Sequence, residues 1–127
     1  METKDLRARF LKFNPFRSRD VEVELPDESG ALVPTLVRIR QPHLGERNRI
    51  LASVGDKTAA GLTRGQAEAV VLCCRNPDGD ALLFSESDVP ALMEVPAGSW
   101  VDKLSSEVMS LLQEGSDVAK KSEPTPT

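Results

Sequence analysis

The sequence predicts an α+β fold in which an N-terminal β-hairpin packs against a mostly helical body and a disordered polar tail ends the chain. Apolar and acidic residues alternate strictly over 21–25, which is typical of a half-buried strand, and a second alternating run ends at Arg40. Most later apolar residues have helical spacing. We therefore expect a basic segment at 1–20, an α+β domain at 21–115 and the tail at 116–127.

A short basic helix is expected first, over residues 3–13, with Leu6, Phe10 and Phe13 on one stripe. Residues 1–20 carry six basic and three acidic groups, although the whole chain has a net charge of -4. Such a segment could bind RNA or an acidic protein surface, but a solvated amphipathic helix is the simpler interpretation. The overall acidity argues against a nucleic-acid-binding protein. A basic start and an acidic finish could also let copies meet head to tail.

The hairpin is expected to close through turn residues at 26–30 and to bury one face. Pro34 should limit the second strand at its start. In this arrangement Glu22 and Glu24 can face Arg40 and Arg38, and opposite charges across the strands would support that register. The residues expected to point inward are Val21, Val23, Leu25, Val37 and Ile39.

Two helices should follow the hairpin. Pro42 is suited to the first helical position, and this helix should end near Gly55. Residues 55–62 have the composition of a loop. Thr63 and Gln66 then have the spacing of a capping box, which predicts the start of a central, almost wholly apolar helix.

The second half of the body is expected to contain a turn, a short extended segment and two helices. The turn occupies 76–79, and residues 82–84 form a short strand or plug. Ser87 is the preferred cap of a short helix, ahead of Ser85. The last helix should begin at Pro96 and end at Gly115.

One set of apolar residues could form either the core or a protein-binding stripe. Its members recur at helical spacing in the two longest apolar segments, with one aromatic residue between them. They are Val70, Val71, Phe84, Trp100, Leu104, Val108 and Leu111.

The sequence contains few residues that could act in catalysis or bind a metal ion. His43 could in principle activate Cys73 or Cys74, but a cysteine in an apolar helix is usually a small hydrophobic residue. Adjacent cysteines also lack the two-residue gap of a zinc site, and no separated pair indicates secretion. The longest apolar run, 69–74, is too short to span a bilayer. We therefore expect no catalytic residue, metal or cofactor, no membrane partner, and a reducing cytoplasm.

Several short sequence motifs follow one another in a particular order over roughly residues 13–115. The most informative of them lie within residues 78–97. In chain order these are Asn14-Pro15-Phe16 before the acidic strand, Asp78-Gly79, Leu83-Phe84-Ser85, the acidic run from Glu86 to Val89, and Val95-Pro96-Ala97 before the last helix. This order resembles the tail assembly chaperones of long-tailed, siphovirus-like bacteriophages and prophages.

The resemblance implies a homo-oligomer that binds the tape measure protein, and in some cases the tail tube protein, during tail assembly. Such a chaperone would act in the host cytoplasm and be absent from the mature virion. A longer frameshifted form is also implied, and the adjacent codons of Lys120 and Lys121 could supply the slippery stretch. Two alternatives stay open: a structural minor tail or tail-completion protein, and a small cysteine-dependent enzyme.

Overall fold

A β-hairpin precedes the helical body in the computed structural model, which describes residues 1–13 and 15–122 and the side chains up to residue 113. The predicted α+β class is confirmed. In chain order the elements are α1 (Thr3–Lys12), β1 (Ser18–Pro26), β2 (Leu32–Arg40), α2 (Leu44–Gly55), α3 (Ala59–Cys73), β3 (Cys74–Arg75), a 3-10 turn (Glu86–Asp88), α4 (Val89–Met93) and α5 (Trp100–Ser122).

The turn sets the register of the hairpin. The Asp27 carboxylate accepts hydrogen bonds from the backbone N–H groups of Ser29 and Ala31, at 2.8 and 3.0 Å. Strand pairing therefore closes at Pro26 opposite Leu32 and runs to Ser18 opposite Arg40. The short strand β3 adds to the other side of β2, which gives the order β1-β2-β3.

The predicted charge pairing across the hairpin is wrong by four positions. Glu22 lies opposite Leu36 rather than Arg40, and Glu24 lies opposite Pro34. Arg38 instead pairs with Asp20, with Nε 2.9 Å from the nearer carboxylate oxygen. The alternating pattern determined which face is buried, but the turn geometry determined which residues are opposite each other.

Pro34 lies inside β2 and does not limit it. Hydrogen bonds from the N–H of Asp27 to the carbonyl of Ala31, and from Gln41 to Arg17, place the odd-numbered residues in the hydrogen-bonded pairs. The nitrogen of Pro34 therefore points away from β1. On that side β3 pairs only with residues 38 and 39, so the missing N–H faces an open edge in the described part of the sheet.

The core lies between the sheet and the helices. The inner faces of β1 and β2 contribute Val21, Val23, Val37 and Ile39, all buried as predicted, while Leu25 is partly buried. Helices α3 and α5 supply most of the remaining core, and α2 contributes Ile50. Burial of these aliphatic side chains is the main favourable contribution to folding.

Helices α2 and α3 begin at other residues than predicted. Helix α2 begins at Leu44 rather than at Pro42, because His43 caps it: its Nδ1 accepts the N–H of Glu46 while the Glu46 carboxylate accepts the N–H of His43. Helix α3 begins at Ala59, inside the predicted loop. Thr58 is its cap and accepts the N–H of Gly61 at 2.9 Å, whereas Thr63 donates back to a carbonyl within the helix.

The boundaries of the last two helices also differ. Ser85, not Ser87, forms the capping box with Asp88, and a 3-10 turn before α4 leaves Pro90 in the first turn of that helix. Gly98 has a φ of +81°, so α5 begins after it rather than at Pro96.

The backbone of α5 is helical to Ser122 and thus continues past Gly115, where the sequence pattern ended it. A glycine within a helix weakens it by about 1 kcal/mol but does not by itself stop it. The side chains of the predicted tail, and its last residues, 123–127, lie outside the described residues.

Two glycines bring α3 against α2. A Cβ on Gly61 would lie 2.7 Å from the carbonyl oxygen of Ser53, and a Cβ on Gly65 would lie 2.6 Å from Cγ2 of Val54. Any side chain at these positions would force the helices apart. The spacing of four residues places both glycines on the face of α3 that meets α2.

Candidate protein-binding surfaces

The predicted apolar stripe lies mostly inside the protein. Five of its members have exposed fractions between 0 and 4%: Val70, Val71, Leu104, Val108 and Leu111. The other two, Phe84 and Trp100, are partly exposed and stack on each other, with ring centroids 5.9 Å apart and planes inclined by 8°. The five buried residues therefore contribute to the core, and only the aromatic pair reaches the surface.

A groove between α3 and α5 is the first surface suited to a partner. Small residues form much of it, and the apolar side chains of Val54, Leu62 and Met109 lie along it. Leu62 is 48% exposed despite its size. Small residues at such a position let another backbone approach closely, which is typical of a site for an amphipathic helix. The small and polar lining residues are Gly65, Gln66, Ala69, Ser105, Ser106, Ser110 and Gln113.

Helix α1 is a second apolar surface. The predicted stripe of Leu6, Phe10 and Phe13 exists, but none of the residues of α1 is buried. Phe10 is 70% exposed and Phe13 is 67% exposed. Arg9 lies beside this stripe and Arg7 lies on its other flank by helical geometry. The helix therefore presents aromatic side chains bordered by guanidinium groups.

The side of the hairpin that faces away from the core is the third surface. We call it the outer face and define it by the exposed side chains of Glu22, Glu24, Leu32, Pro34 and Leu36. The two carboxylates of β1 lie beside the apolar row of β2. Neither carboxylate forms an ion pair with another described residue.

A buried carboxylate joins α2, α3 and the 3-10 turn. Glu68 is 3% exposed and accepts from Arg49 and Arg64, both at 3.1 Å, and from the hydroxyl of Ser53 at 3.2 Å. Arg49 also pairs with Glu86. Two guanidinium groups compensate the buried charge, so this cluster is a structural link between elements. No signal in the sequence identified it.

The cysteines lack the features of a nucleophile. Both side chains are fully buried, and burial raises the pKa of each thiol to about 12. His43, the proposed activating base, is largely exposed and caps α2. Among residues 1–13 and 15–113, whose side chains the structure describes, no group of His, Cys, Asp or Glu could hold a metal ion. Within the same residues, every helix is too short or too polar to cross a membrane.

Comparison with known proteins is informative about the fold. No protein-family profile matches the sequence, and no curated protein matches it. A search of solved structures finds the tail assembly chaperone of bacteriophage HK97, with a TM-score of 0.58 over 87% of this chain and 95% of that one, at 17% sequence identity. The chain has the fold of a phage tail assembly chaperone. At this identity the likeness establishes shared architecture, and the roles of individual residues need separate support.

The sequence did not reveal the groove between α3 and α5. Its lining combines residues of the consecutive helices α2 and α3 with residues of α5, which comes much later in the chain, and its small residues have no chemical signature. One pattern in the sequence could have indicated the groove. Ser106 and Ser110 are four residues apart on a helix whose opposite face is apolar. Polar residues of this size are compatible with either a solvated face or a partner's close approach.

Proposed function

We propose that the protein is a phage tail assembly chaperone that binds the tape measure protein in the host cytoplasm before the tail is complete. The shared fold with the HK97 tail assembly chaperone carries this proposal. The surfaces add support, because the chain displays large apolar side chains outside its core. Exposed apolar patches on a soluble protein mark sites of interaction.

The groove between α3 and α5 is the proposed client site. A long tape measure protein presents amphipathic helices, and a helix docks in a groove through its apolar face. Leu62 and Met109 supply apolar contacts, while the small Ser106 leaves room for a client backbone. The groove is built on two packed helices, so it exists before the client arrives.

Co-expression tests this proposal. A tape measure protein from the same genome, expressed together with this chain, should become more soluble and should co-purify with it. Ser106→Arg introduces a long charged side chain into the groove and should reduce the captured client by about tenfold or more. Asn48→Arg, on an exposed part of α2 outside the groove, is the matched control and should leave capture unchanged.

Two results would count against the chaperone function. If the tape measure protein neither gains solubility nor co-purifies, the proposed client is wrong. If mass spectrometry finds this chain in purified virions in amounts comparable to minor tail proteins, the protein is a structural component. Equal capture by Ser106→Arg and Asn48→Arg would exclude the groove while leaving the function intact.

A further inference from the structure

Strand β1 has an edge that no other described strand covers. In the order β1-β2-β3 it is the outermost strand, and its odd-numbered residues form the hydrogen bonds to β2. The backbone N–H and C=O groups of Glu22 and Glu24 therefore point away from the sheet. Lys103 confirms this direction, because its ammonium group donates a hydrogen bond to the carbonyl of Glu22. An uncovered edge of this kind can pair with one more extended chain.

A groove runs beside this edge. The loop before α5 forms its other wall, and both the partly exposed ring of Trp100 and the inward-facing Val23 line it. Its volume of about 580 Å³ is comparable to that of ligand-binding clefts, which range from roughly 300 to 1,000 Å³. We call it the edge groove and define it by Glu22, Glu24, Pro96, Ser99, Trp100 and Lys103.

The charges of the edge groove favour a basic partner. Glu22 and Glu24 are exposed, and neither forms an ion pair with another described residue. Lys103 also lines the groove, but its ammonium group binds the backbone of Glu22 rather than a carboxylate. Two carboxylates and one ammonium group leave a net charge of -1 in the groove. Because Lys103 adjoins Glu22, the carboxylate of Glu24 should attract a cation more strongly.

The hydroxyl group of Ser99 is a second indication of a ligand. It is buried at the wall of the edge groove, and no group among the described residues forms a hydrogen bond with it. Buried hydroxyl groups nearly always have a partner. The backbone of a chain lying in the groove would bring donors and acceptors close to this hydroxyl.

We propose that an extended, basic segment of a partner protein binds in the edge groove as an additional strand beside β1. Residues opposite Glu22 and Glu24 would place their side chains on the outer face, where lysine or arginine complements the carboxylates. The residue between them would point toward the core side, where Trp100 favours an apolar side chain. The recognised pattern is therefore basic–apolar–basic. It is short, because Lys103 occupies the carbonyl of Glu22 and Pro26 has no N–H group to donate.

A synthetic peptide, acetyl-Lys-Val-Lys-Val-Lys-amide, tests this proposal with the full-length chain. Trp100 is the single tryptophan and lines the edge groove, so its fluorescence reports binding. We expect saturable binding with a Kd on the order of 100 μM. The affinity should fall with added salt, because exposed charges are screened. In heteronuclear NMR spectra the N–H resonance of Glu24 should shift, and its exchange with solvent should slow when the peptide is bound.

Altered peptides separate the effect of charge from that of backbone pairing. Glutamate in place of each lysine reverses the charge, whereas N-methylation of the lysine amides removes the backbone donors and keeps the charge. Each altered peptide should bind at least about tenfold more weakly than the original.

Substitutions in the protein test the acidic side chains. Glu24→Gln should raise the Kd about threefold to fivefold, as expected for an exposed ion pair, and Glu22→Gln should raise it less. Glu28→Gln removes the same charge from the exposed turn outside the edge groove, so it is the matched control and should bind like the parent. All three side chains are exposed, so the variants should fold, which circular dichroism verifies.

Three outcomes would overturn the proposal: no saturable change in Trp100 fluorescence up to about 5 mM peptide, equal binding of the N-methylated peptide, or equal affinities of Glu24→Gln and Glu28→Gln. Fluorescence that changes on dilution of the chain but not with peptide would show that a second copy fills the edge groove, which also refutes it. The experiment contains no tape measure protein, so its result is independent of the proposed client.

Discussion

At the scale of single residues, a few polar groups are held inside the fold by specific partners. Glu68 is the clearest example, because a nearly buried carboxylate receives hydrogen bonds from two arginines and one serine. Arg49 and Arg64 keep 43 and 66% of their side chains exposed, so water solvates them when the carboxylate is removed. The contribution of the cluster is therefore smaller than that of a fully buried ion pair.

Replacement of Glu68 by alanine should lower the free energy of unfolding by about 1–3 kcal/mol. The loss arises because α2 and α3 lose a shared acceptor and a small void remains at their junction. Urea unfolding followed by circular dichroism measures the change. Glu94→Ala, an exposed carboxylate without a described ion pair, is the control and should stay within about 0.5 kcal/mol of the parent. Equal stabilities of the two variants would contradict the structural importance of Glu68.

The two buried thiols make stability sensitive to alkaline pH. Burial raises the pKa of Cys73 and Cys74 from about 9 to about 12. The two protonated thiols make their full contribution to the free energy of unfolding below pH 9. This contribution is lost as the pH rises toward 12, because the unfolded chain then releases protons that the folded chain retains. The free energy of unfolding should fall in this window by at most about 1.4 kcal/mol per pH unit for each thiol.

Urea titrations at a series of pH values test this dependence. The double variant Cys73→Ala and Cys74→Ala should lose stability at neutral pH but show a flatter decline above pH 9. Native-state labelling by a thiol reagent should also be slow and should accelerate on unfolding. If the slope of the double variant equals that of the parent, other groups control the alkaline transition.

At the scale of elements, periodicity in the sequence predicted which face of a helix or strand is buried better than it predicted where that element begins and ends. The alternation of Val21 and Val23 identified the buried face of β1 because a half-buried strand imposes a period of two. The boundaries depended on local capping. Thr58 and Thr63 both have acceptable capping chemistry, and only the packing of Gly61 against α2 selects the earlier start. That contact forms between two helices, so the periodicity within either helix does not reveal it.

The groove between α3 and α5 and the outer face were unpredictable for a related reason. The groove depends on which helices are neighbours. The outer face depends on strand register, and a shift of four residues in that register changes the residue opposite Glu22 from Arg40 to Leu36. The sequence did identify the amphipathic helix α1, because the spacing of Leu6 and Phe10 is local to one helix. Surfaces made by one element are predictable from its sequence, whereas surfaces shared by several elements need the fold.

The glycines between α2 and α3 allow a sharp test of packing. Gly65→Ala should lower stability by about 1–3 kcal/mol because its Cβ would meet the rigid side chain of Val54. This loss outweighs the gain of about 1 kcal/mol in helix propensity. Gly55→Ala is the matched control, since its Cβ meets nothing within 4 Å, and it should be neutral or stabilising. Thermal unfolding that ranks the two variants in the opposite order would refute the close approach of α3 to α2.

At the scale of the whole molecule, one continuous core joins the hairpin to α3 and α5. Trp100, the single tryptophan, packs at its edge against Phe84. Helix α1 lies outside this core. The molecule therefore has a body that should unfold cooperatively and an arm whose helical state is not coupled to it.

Removal of residues 1–12 should leave the unfolding midpoint of the body unchanged within error, because no residue of α1 is buried. Tryptophan fluorescence and far-ultraviolet circular dichroism should give coincident transitions in both the parent and the truncated chain, measured at a concentration where neither associates. A midpoint that falls by several degrees would show that α1 packs on the body.

The open edge of β2 has a consequence for the aggregation of this protein. An extended chain that added to this edge would find a carbonyl but no donor at Pro34, so the growing ladder would break in the middle. Leu32 and Leu36 can thus remain exposed without acting as a template for amyloid-like growth. Pro34→Thr would restore the donor, and the variant should nucleate fibrils in agitated solution sooner than the parent does.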